Sequence, residues 1–150
     1  MSDRDHIDDL IALASEKVNL LNIQRRAAKK LLDYDGEIYP HDGCAITLSL
    51  MLQDAGIKVK DTYQALALTN ILKNDRNWTR VAVGEQKAGD IGTTCGETAK
   101  HGEDHIYLVL KPMNQDEMVI ADNQDTHPHF RYASGKGGKT PTKYFLRAGG

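Results

Sequence analysis

Apolar side chains recur at mostly three- and four-residue steps through the first 32 residues, which is the spacing of one face of an α-helix. The first 35 residues contain neither glycine nor proline. This pattern predicts one long amphipathic helix from about Asp5 to Leu32. Acidic residues lie near its start and basic residues near its end, an order that complements the helix dipole. The apolar positions are Ile7, Leu10, Ile11, Ala14, Val18, Leu21, Ala28, Leu31 and Leu32.

Two further helical segments follow a loop at residues 33–43 that is dense in turn-forming residues. The apolar segment Cys44–Gly56 predicts a helix that its final glycine closes. A third helix is predicted to begin at Asp61, with Gln64 three residues later completing a capping box, and to run to about Lys73. Three helices therefore precede the first predicted strand.

From Trp78 onward the pattern changes to short segments rich in β-branched or aromatic residues, separated by Gly, Pro and Asn turns. The second and third of these segments flank a short connection, so they predict a β-hairpin. The chain is therefore predicted to adopt an α+β fold, with N-terminal helices packed on an antiparallel sheet of four to six strands. The four predicted strands are Trp78–Val83, His105–Leu110, Met118–Asp122 and Lys143–Arg147.

Length and composition limit the classes of protein to consider. A chain of 150 residues with 40% hydrophobic content predicts one domain, 1–150, with its own core. The 19 lysines and arginines against 21 acidic residues argue against nucleic acid or an anionic membrane as a partner. No apolar run approaches the roughly 20 residues of a membrane helix, and the acidic first residues do not resemble a secretory signal.

Cys44 carries the strongest chemical signal, because it lies at the predicted start of a helix. The unpaired amides and the positive end of the dipole at such a start stabilise a thiolate, the nucleophilic form of cysteine. The alternative is a buried core cysteine, which is common for this residue type. Two cysteines in 150 residues exclude a disulfide framework and a four-cysteine zinc site.

A histidine and a neighbouring acid or amide can complete a site around this thiol. His105 opens a predicted strand and can serve as the base that thiol catalysis needs. If the hairpin turns near residues 113–114, positions whose numbers sum to about 227 lie opposite one another, which places Asp122 or Asn123 across from His105. A carboxylate or amide there would fix the tautomer of the imidazole. Each residue taken alone is equally typical of a polar strand end.

The segments around these residues resemble the papain-like cell-wall hydrolases of the NlpC and CHAP families. Tyr39–Ser49 looks like their nucleophile helix, and its Cys-Ala-Ile-Thr-Leu-Ser is similar to the cysteine segment of type VI secretion amidase effectors. Lys87–Ile91 is similar to their Pro-Gly-Asp turn into a strand. His105–Val109 resembles the strand that begins with the catalytic histidine, and Val119–Asn123 the strand that carries the third residue. Gly43 replaces the usual Asp or Asn before the cysteine.

This resemblance implies a papain-like fold and a cysteine hydrolase. Cys44 would attack an amide carbonyl, and His105 would accept its proton and later protonate the leaving amine. Matching position by position favours Asp122 over Asn123 as the residue that orients His105. The reaction would be hydrolysis through a thioester without a metal or an organic cofactor. The implied substrate is the peptide moiety of peptidoglycan, and an inhibitor or immunity protein is an implied partner.

Five residues besides this triad are predicted to contact substrate. Two lie in the loop before the cysteine, where they would assist the backbone amide of Cys44 in binding the oxyanion. Three follow the third predicted strand closely enough to line a groove, and one of them belongs to the basic segment 126–150, whose default interpretation is a solvated loop. The five residues are Tyr39, His41, Asn123, Gln124 and Arg131.

Two alternative functions share these residues. In a non-catalytic binding or immunity-type domain, Cys44 would belong to the core and His105 would be structural. A thiol–imidazole separation beyond about 5 Å would favour that alternative. In a deamidase or transglutaminase-like effector, the same triad would act on protein glutamine. Because no secretory signal is visible, localisation stays open, and delivery by phage lysis or a specialised secretion route would bring a cytoplasmically made enzyme to peptidoglycan.

Other cysteine and histidine residues give weaker signals. Cys95 lies in a polar segment and is predicted to be exposed, with a redox pair between Cys44 and Cys95 left open. The histidines that could join Cys95 in a metal site match no zinc-motif spacing, so no metal site is predicted. Those histidines are His101, His105, His127 and His129.

Overall fold

The protein has an α+β fold in which helices form the first half of the chain and six strands form one antiparallel sheet. The computed structural model describes residues 2–150. A 3-10 turn at Asp3–His6 comes first, and a π-helical turn at Ile71–Asp75 ends the last helix. The helices are α1 Ile7–Ser15, α2 Lys17–Asp35, α3 Cys44–Asp54 and α4 Ala65–Asn70, and the strands are β1 Thr79–Val81, β2 Ile91–Thr93, β3 Ile106–Pro112, β4 Glu117–Ala121, β5 His129–Tyr132 and β6 Tyr144–Arg147.

Helix α3 is the centre of the core, because it is apolar on every side. All its residues from 44 to 52 are buried. A helix without a polar face needs packing partners all around it, and α3 contacts α1, α2, α4 and strand β3. The prediction of a helix beginning at Cys44 is confirmed, and Gly56, at φ 99°, takes the left-handed conformation expected just after a helix end.

The single N-terminal helix predicted over 5–32 is wrong, because the chain forms two helices with a break at Glu16. The backbone of Glu16 is extended, at φ −92° and ψ 123°. Ala14 ends the buried stripe of α1 and Leu20 begins that of α2. In a continuous helix Ala14 and Leu20, six residues apart, would point in directions about 120° apart around the axis. One straight helix would therefore not turn both side chains to the same core. Val18, which was assigned to the apolar face, is 71% exposed.

The third helix begins later than predicted. Gln64, and not Asp61, is the residue before its first turn. The Asp61 carboxylate instead accepts hydrogen bonds from Lys30 Nζ and Gln53 Nε2, each at 2.8 Å. The predicted capping box is therefore wrong. Asp61 joins α2 to α3, because its side chain finds donors on both helices.

The open sheet has the strand order β1-β6-β2-β3-β4-β5, with every neighbouring pair antiparallel. The predicted hairpin is present as β3 and β4. Its register differs, since Leu108 pairs with Ala121, two positions further along than predicted, and the register shifts between Val109 and Lys111. On the side of this shift that leads to His105 and Asp122, a displacement of two keeps each side chain on its predicted face, because side chains alternate with period two.

Periodicity alone missed two strands, β2 and β5. β2 has three residues and contains Gly92, where a Cβ would overlap the ring of Tyr107 on the neighbouring strand. So short a strand with a central glycine has no alternating pattern. The likeness of Lys87–Ile91 to a turn that leads into a strand did imply one here, and β2 begins at Ile91.

The sheet buries side chains on both faces. Alternate residues of β3, Ile106 and Leu108, join the helices in the main core. The intervening residues Tyr107 and Val109 join a smaller core with Phe145 on the other face. Among the helices of residues 2–150, none combines the length and the hydropathy that crossing a bilayer requires.

We expect Leu20→Ala to lower the free energy of unfolding by about 2–5 kcal/mol, because Leu20 is fully buried where α2 begins. Val18→Ala is the matched control and should change it by about 0.5 kcal/mol or less, since Val18 is mostly exposed. Urea denaturation followed by circular dichroism measures both values. A large loss at Val18 with little at Leu20 would contradict the break at Glu16.

Candidate active site

Cys44 is the first residue of α3, where amide N–H groups lack acceptors within the helix. The first hydrogen bond of the helix runs from the Thr47 N–H to the Gly43 carbonyl at 3.2 Å. The N–H groups of residues 44–46 therefore precede the intrahelical ladder. Cys44 retains 8% of its surface and lines a surface cleft. The thiol thus lies at a helix start, next to a space that a ligand can enter.

The loop before Cys44 passes over the ring of Tyr39. A Cβ on Gly43 would lie 2.9 Å from two ring carbons of Tyr39 and 3.1 Å from the Pro40 carbonyl oxygen. The Thr47 hydroxyl donates to the Gly43 carbonyl at 2.7 Å, so the Tyr39 hydroxyl donates to Thr47 Oγ1 at 2.8 Å. Burial raises the pKa of Tyr39, which therefore stays protonated as this donor. Tyr39 supports the first turn of α3 and is not among the residues that line the cleft.

His105 and Asp122 meet where the hairpin strands end. His105 directly precedes β3, and Asp122 directly follows β4. His105 Nε2 lies 2.8 Å from Asp122 Oδ2. The side chain of Asp122 has no exposed surface and that of His105 has 8%. Because Nε2 is bound to the carboxylate, Nδ1 is the ring nitrogen left for Cys44.

Electrostatics favour a charged imidazole at this position. Burial lowers the pKa of His105, but its hydrogen bonds with Asp122 and Cys44 and their negative charges raise the pKa to about 9. Burial would raise the pKa of Asp122, yet hydrogen bonds from His105 and His129 hold it well below the usual range. Cys44 contributes to this shift and lines the same cleft as His105, so the two side chains are neighbours.

Two side chains that bind Asp122, those of His129 and Gln24, were not predicted from the sequence. Asp122 Oδ1 accepts hydrogen bonds from His129 Nε2 at 2.8 Å and from the Gln124 N–H at 2.9 Å. Gln24 of α2 donates to the Asp122 and Asp125 carbonyls at 2.8 and 2.6 Å. A glutamine on the apolar face of α2 was the signal available for Gln24, since a buried amide needs partners. His129 gave no such signal, because β5 itself was not predicted.

A cleft of about 340 Å³ lies beside Cys44 and His105. Its walls include three residues that the sequence assigned to substrate binding, namely His41, Asn123 and Gln124. A second pocket of about 90 Å³ also borders Cys44. The thiol is therefore next to two spaces that a ligand can enter.

Asn123 connects the end of β4 to the loop that leads into α3. Its Nδ2 donates to the Pro40 carbonyl at 2.7 Å. Among residues 2–150, no group hydrogen-bonds to its buried Oδ1. Asn123 therefore contacts the loop before Cys44, whereas Asp122 contacts His105.

Arg131 lies away from the cleft. It pairs with Met118 in the sheet, on the face of the smaller core, and is 4% exposed. Its guanidinium carbon is 5.0 Å from the centre of the Tyr107 ring, and Nη2 donates to the Thr140 carbonyl at 2.7 Å. The structure therefore does not bring Arg131 together with the other predicted substrate contacts. Adjacency in sequence was misleading because the chain turns into β5.

Cys95 is fully buried, which contradicts the prediction of an exposed loop cysteine. The chain continues to pair beyond β2, since the Thr94 N–H donates to the His105 carbonyl at 3.0 Å and the His105 N–H to Thr94 Oγ1 at 2.8 Å. This pairing carries Cys95 into the core. Burial raises the pKa of its thiol, and both cysteines are free.

One group of side chains near the cleft has the spacing of metal ligands. Ligand atoms of Glu37, His41 and Asp42 lie within 4.8 Å of one another at the surface. Three of the four histidines weighed in the sequence have other partners: His105 and His129 bind Asp122, and the exposed His127 pairs with Asp125 at 3.2 Å. The fourth, His101, is exposed. The clustered group therefore involves a histidine that the sequence had assigned to substrate.

No family model matches the chain, and comparisons with curated proteins and with solved structures give no significant match. The α+β fold and the geometry around Cys44 stand on the structure. The relationship to NlpC and CHAP hydrolases rests on the sequence motifs and is therefore taken up as a proposal.

The pairing of His105 with Asp122 predicts a pH dependence of stability. His105 has a pKa of about 9 in the folded protein against 6.5 for an ordinary histidine, so its charged form stabilises the fold fully below pH 6.5. That contribution is lost as the pH rises toward about 9. We expect the free energy of unfolding of the wild type to fall across this window, and to fall much less in Asp122→Asn.

Urea titrations at several pH values measure this difference, and His127→Gln is the control, because His127 is exposed and does not contact Asp122. Equal pH dependence in the wild type and Asp122→Asn would contradict the assigned pair.

Proposed function

We propose that this protein is a papain-like cysteine hydrolase that cleaves amide bonds in peptidoglycan peptides. The observation that carries the proposal is the relay from Cys44, at the start of α3, through His105 to the buried Asp122. The order of helix start, strand and following strand agrees with the NlpC and CHAP resemblance. The two pockets that border Cys44 offer a substrate space beside the thiol.

In the reactive state the Cys44 proton has moved to Nδ1 of His105, in line with the raised pKa that keeps this imidazole charged. The resulting imidazolium is stabilised by Asp122, which accepts the Nε2–H at 2.8 Å. The thiolate is stabilised by the imidazolium and by the positive end of the α3 dipole. The site therefore favours the ion pair that a thiol nucleophile requires.

The thiolate sulfur then attacks the amide carbonyl carbon and forms a tetrahedral intermediate. The backbone N–H of Cys44, which precedes the helical ladder, is the candidate donor for its oxyanion. Collapse of the intermediate breaks the C–N bond, and His105 gives its proton to the departing amine. The acyl group remains on Cys44 as a thioester.

Hydrolysis of the thioester uses the same residues in the reverse sense. Neutral His105 takes a proton from water, and the hydroxide attacks the thioester carbonyl. Breaking of the C–S bond releases a carboxylic acid and regenerates the thiolate–imidazolium pair. No step requires a group beyond the triad, the helix start and water.

The peptidoglycan assignment rests on the cysteine segment that resembles type VI secretion amidase effectors. Delivery would use phage lysis or a specialised secretion route, and an inhibitor or immunity protein would act by covering the cleft. A deamidase acting on protein glutamine would use the same triad, so the product must distinguish the two. A non-catalytic binding or immunity-type domain is the rival from another class, and it would release no fragments from peptidoglycan.

Purified peptidoglycan incubated with the wild type is expected to release peptide fragments that carry new amino and carboxyl ends. Cys44→Ala should lower the rate of release by about 10³-fold or more, because it removes the nucleophile. Mass spectrometry of the soluble fragments identifies the bond. Cys95→Ser is the matched control, with expected release close to wild type. Ammonia release from a glutamine-rich protein, without any peptidoglycan fragment, would favour the deamidase.

Asp122→Ala is expected to lower kcat by about 10²–10⁴-fold, because His105 loses the acceptor that fixes its tautomer and stabilises its charge. Asn123→Ala should cost about tenfold or less, since it removes a single hydrogen bond to Pro40. Rates on the same peptidoglycan, with circular dichroism to verify folding, measure both. A larger loss at Asn123 would assign the orienting role to the amide, and negligible losses at both would argue against the triad.

A further inference from the structure

Asp122 is bound by two imidazoles, and only one of them belongs to the proposed triad. His129 is the first residue of β5, and its Nε2 lies 2.8 Å from Asp122 Oδ1. His105 Nε2 lies 2.8 Å from the other carboxylate oxygen, Oδ2. The His129 side chain is 19% exposed, and that of Asp122 has no exposed surface. Each carboxylate oxygen therefore has its own histidine.

The two hydrogen bonds fix the proton arrangement. A carboxylate can only accept hydrogen bonds, so both histidines present a protonated Nε2 to Asp122. The hydrogen bond that His129 donates to Asp122 raises the pKa of His129, and the charges of Asp122 and Asp125 add to this against the opposing effect of burial. His129 therefore stays protonated at pH values at which a free histidine begins to lose its charge.

The position of His129 is set by the sheet. Its backbone pairs with Ile120 of β4, two residues before Asp122. The donor is therefore attached to the same rigid pair of strands as the carboxylate. Besides His129, only the backbone N–H of Gln124, among the described residues, hydrogen-bonds to Oδ1. Removal of the His129 imidazole would leave Oδ1 with only the hydrogen bond from the Gln124 N–H, among the described residues, to fix the orientation of the carboxylate.

We propose that His129 is a positioning residue, which restrains the carboxylate of Asp122 so that Oδ2 faces His105 and the His105–Cys44 pair is kept ready to react. The proposal rests on the proposed role of Cys44 as nucleophile, and it does not depend on the identity of the substrate. His129 acts through Asp122 and needs no contact with the reacting atoms.

Reactivity of the thiol tests this proposal without a substrate. The 150-residue protein is treated with iodoacetamide at pH 7, and mass spectrometry follows carboxamidomethylation of Cys44. His129→Phe removes the donor but keeps a ring, and it should slow the reaction about tenfold, the effect expected when a hydrogen bond to a charged group is lost. His129→Gln retains an N–H donor, so it should restore the rate to within about twofold of the wild type.

A spectroscopic measurement separates positioning from a general loss of stability. The proton of His105 Nε2–H, hydrogen-bonded to a buried carboxylate, should give a downfield NMR resonance that weakens or disappears in His129→Phe and returns in His129→Gln. Leu20→Ala is the control for destabilisation, and His127→Gln is the control for loss of a nearby exposed histidine. Both controls should retain the resonance and the alkylation rate.

Two outcomes would overturn the proposal. If His129→Phe keeps the wild-type alkylation rate and the wild-type downfield resonance, His129 does not restrain Asp122. If His129→Gln is as impaired as His129→Phe, the donor is not what matters. Failure of the proposed nucleophile would be recognised separately, because the wild-type Cys44 would then react no faster than the exposed thiol of glutathione measured in parallel.

Discussion

A negative charge without solvent contact, on Asp122, is the constraint around which the second half of the molecule is organised. A buried carboxylate is tolerated only where donors surround it. Its oxygens receive N–H groups from His105 before β3, from His129 in β5 and from the Gln124 backbone. Gln24 of α2 holds the main chain at the same point. One charge thus requires the hairpin, the edge strand and an N-terminal helix to meet.

The parts of the site that sequence could predict are those encoded by local pattern. An apolar segment after a loop placed Cys44 at a helix start, and two short strands around a turn placed His105 near Asp122. An error of two residues in the hairpin register was harmless, because the period of a strand is two. Which polar side chains share a site depends on the face of the sheet on which they lie, more than on the exact residue that each one pairs with.

Features that depend on tertiary packing were beyond such patterns. The break at Glu16 is visible only once the buried positions are known. In the sequence, Val18 fits the apolar stripe of a continuous helix, although its side chain is exposed in the structure. Asp61 has the sequence of a helix cap, yet donors on α2 and α3 compete for its carboxylate. Cys95 follows a three-residue strand in a polar segment, and its burial comes from pairing of that segment beside His105.

The contact between Gly43 and Tyr39 has a consequence for substitutions at position 43. The tyrosine ring occupies the volume that a side chain at position 43 would need, and its hydroxyl supports the first helical turn through Thr47. A side chain at position 43 therefore requires the Tyr39 ring to move or to be replaced by a smaller residue. We therefore expect a side chain at position 43 to be tolerated better together with a smaller residue at position 39 than beside tyrosine.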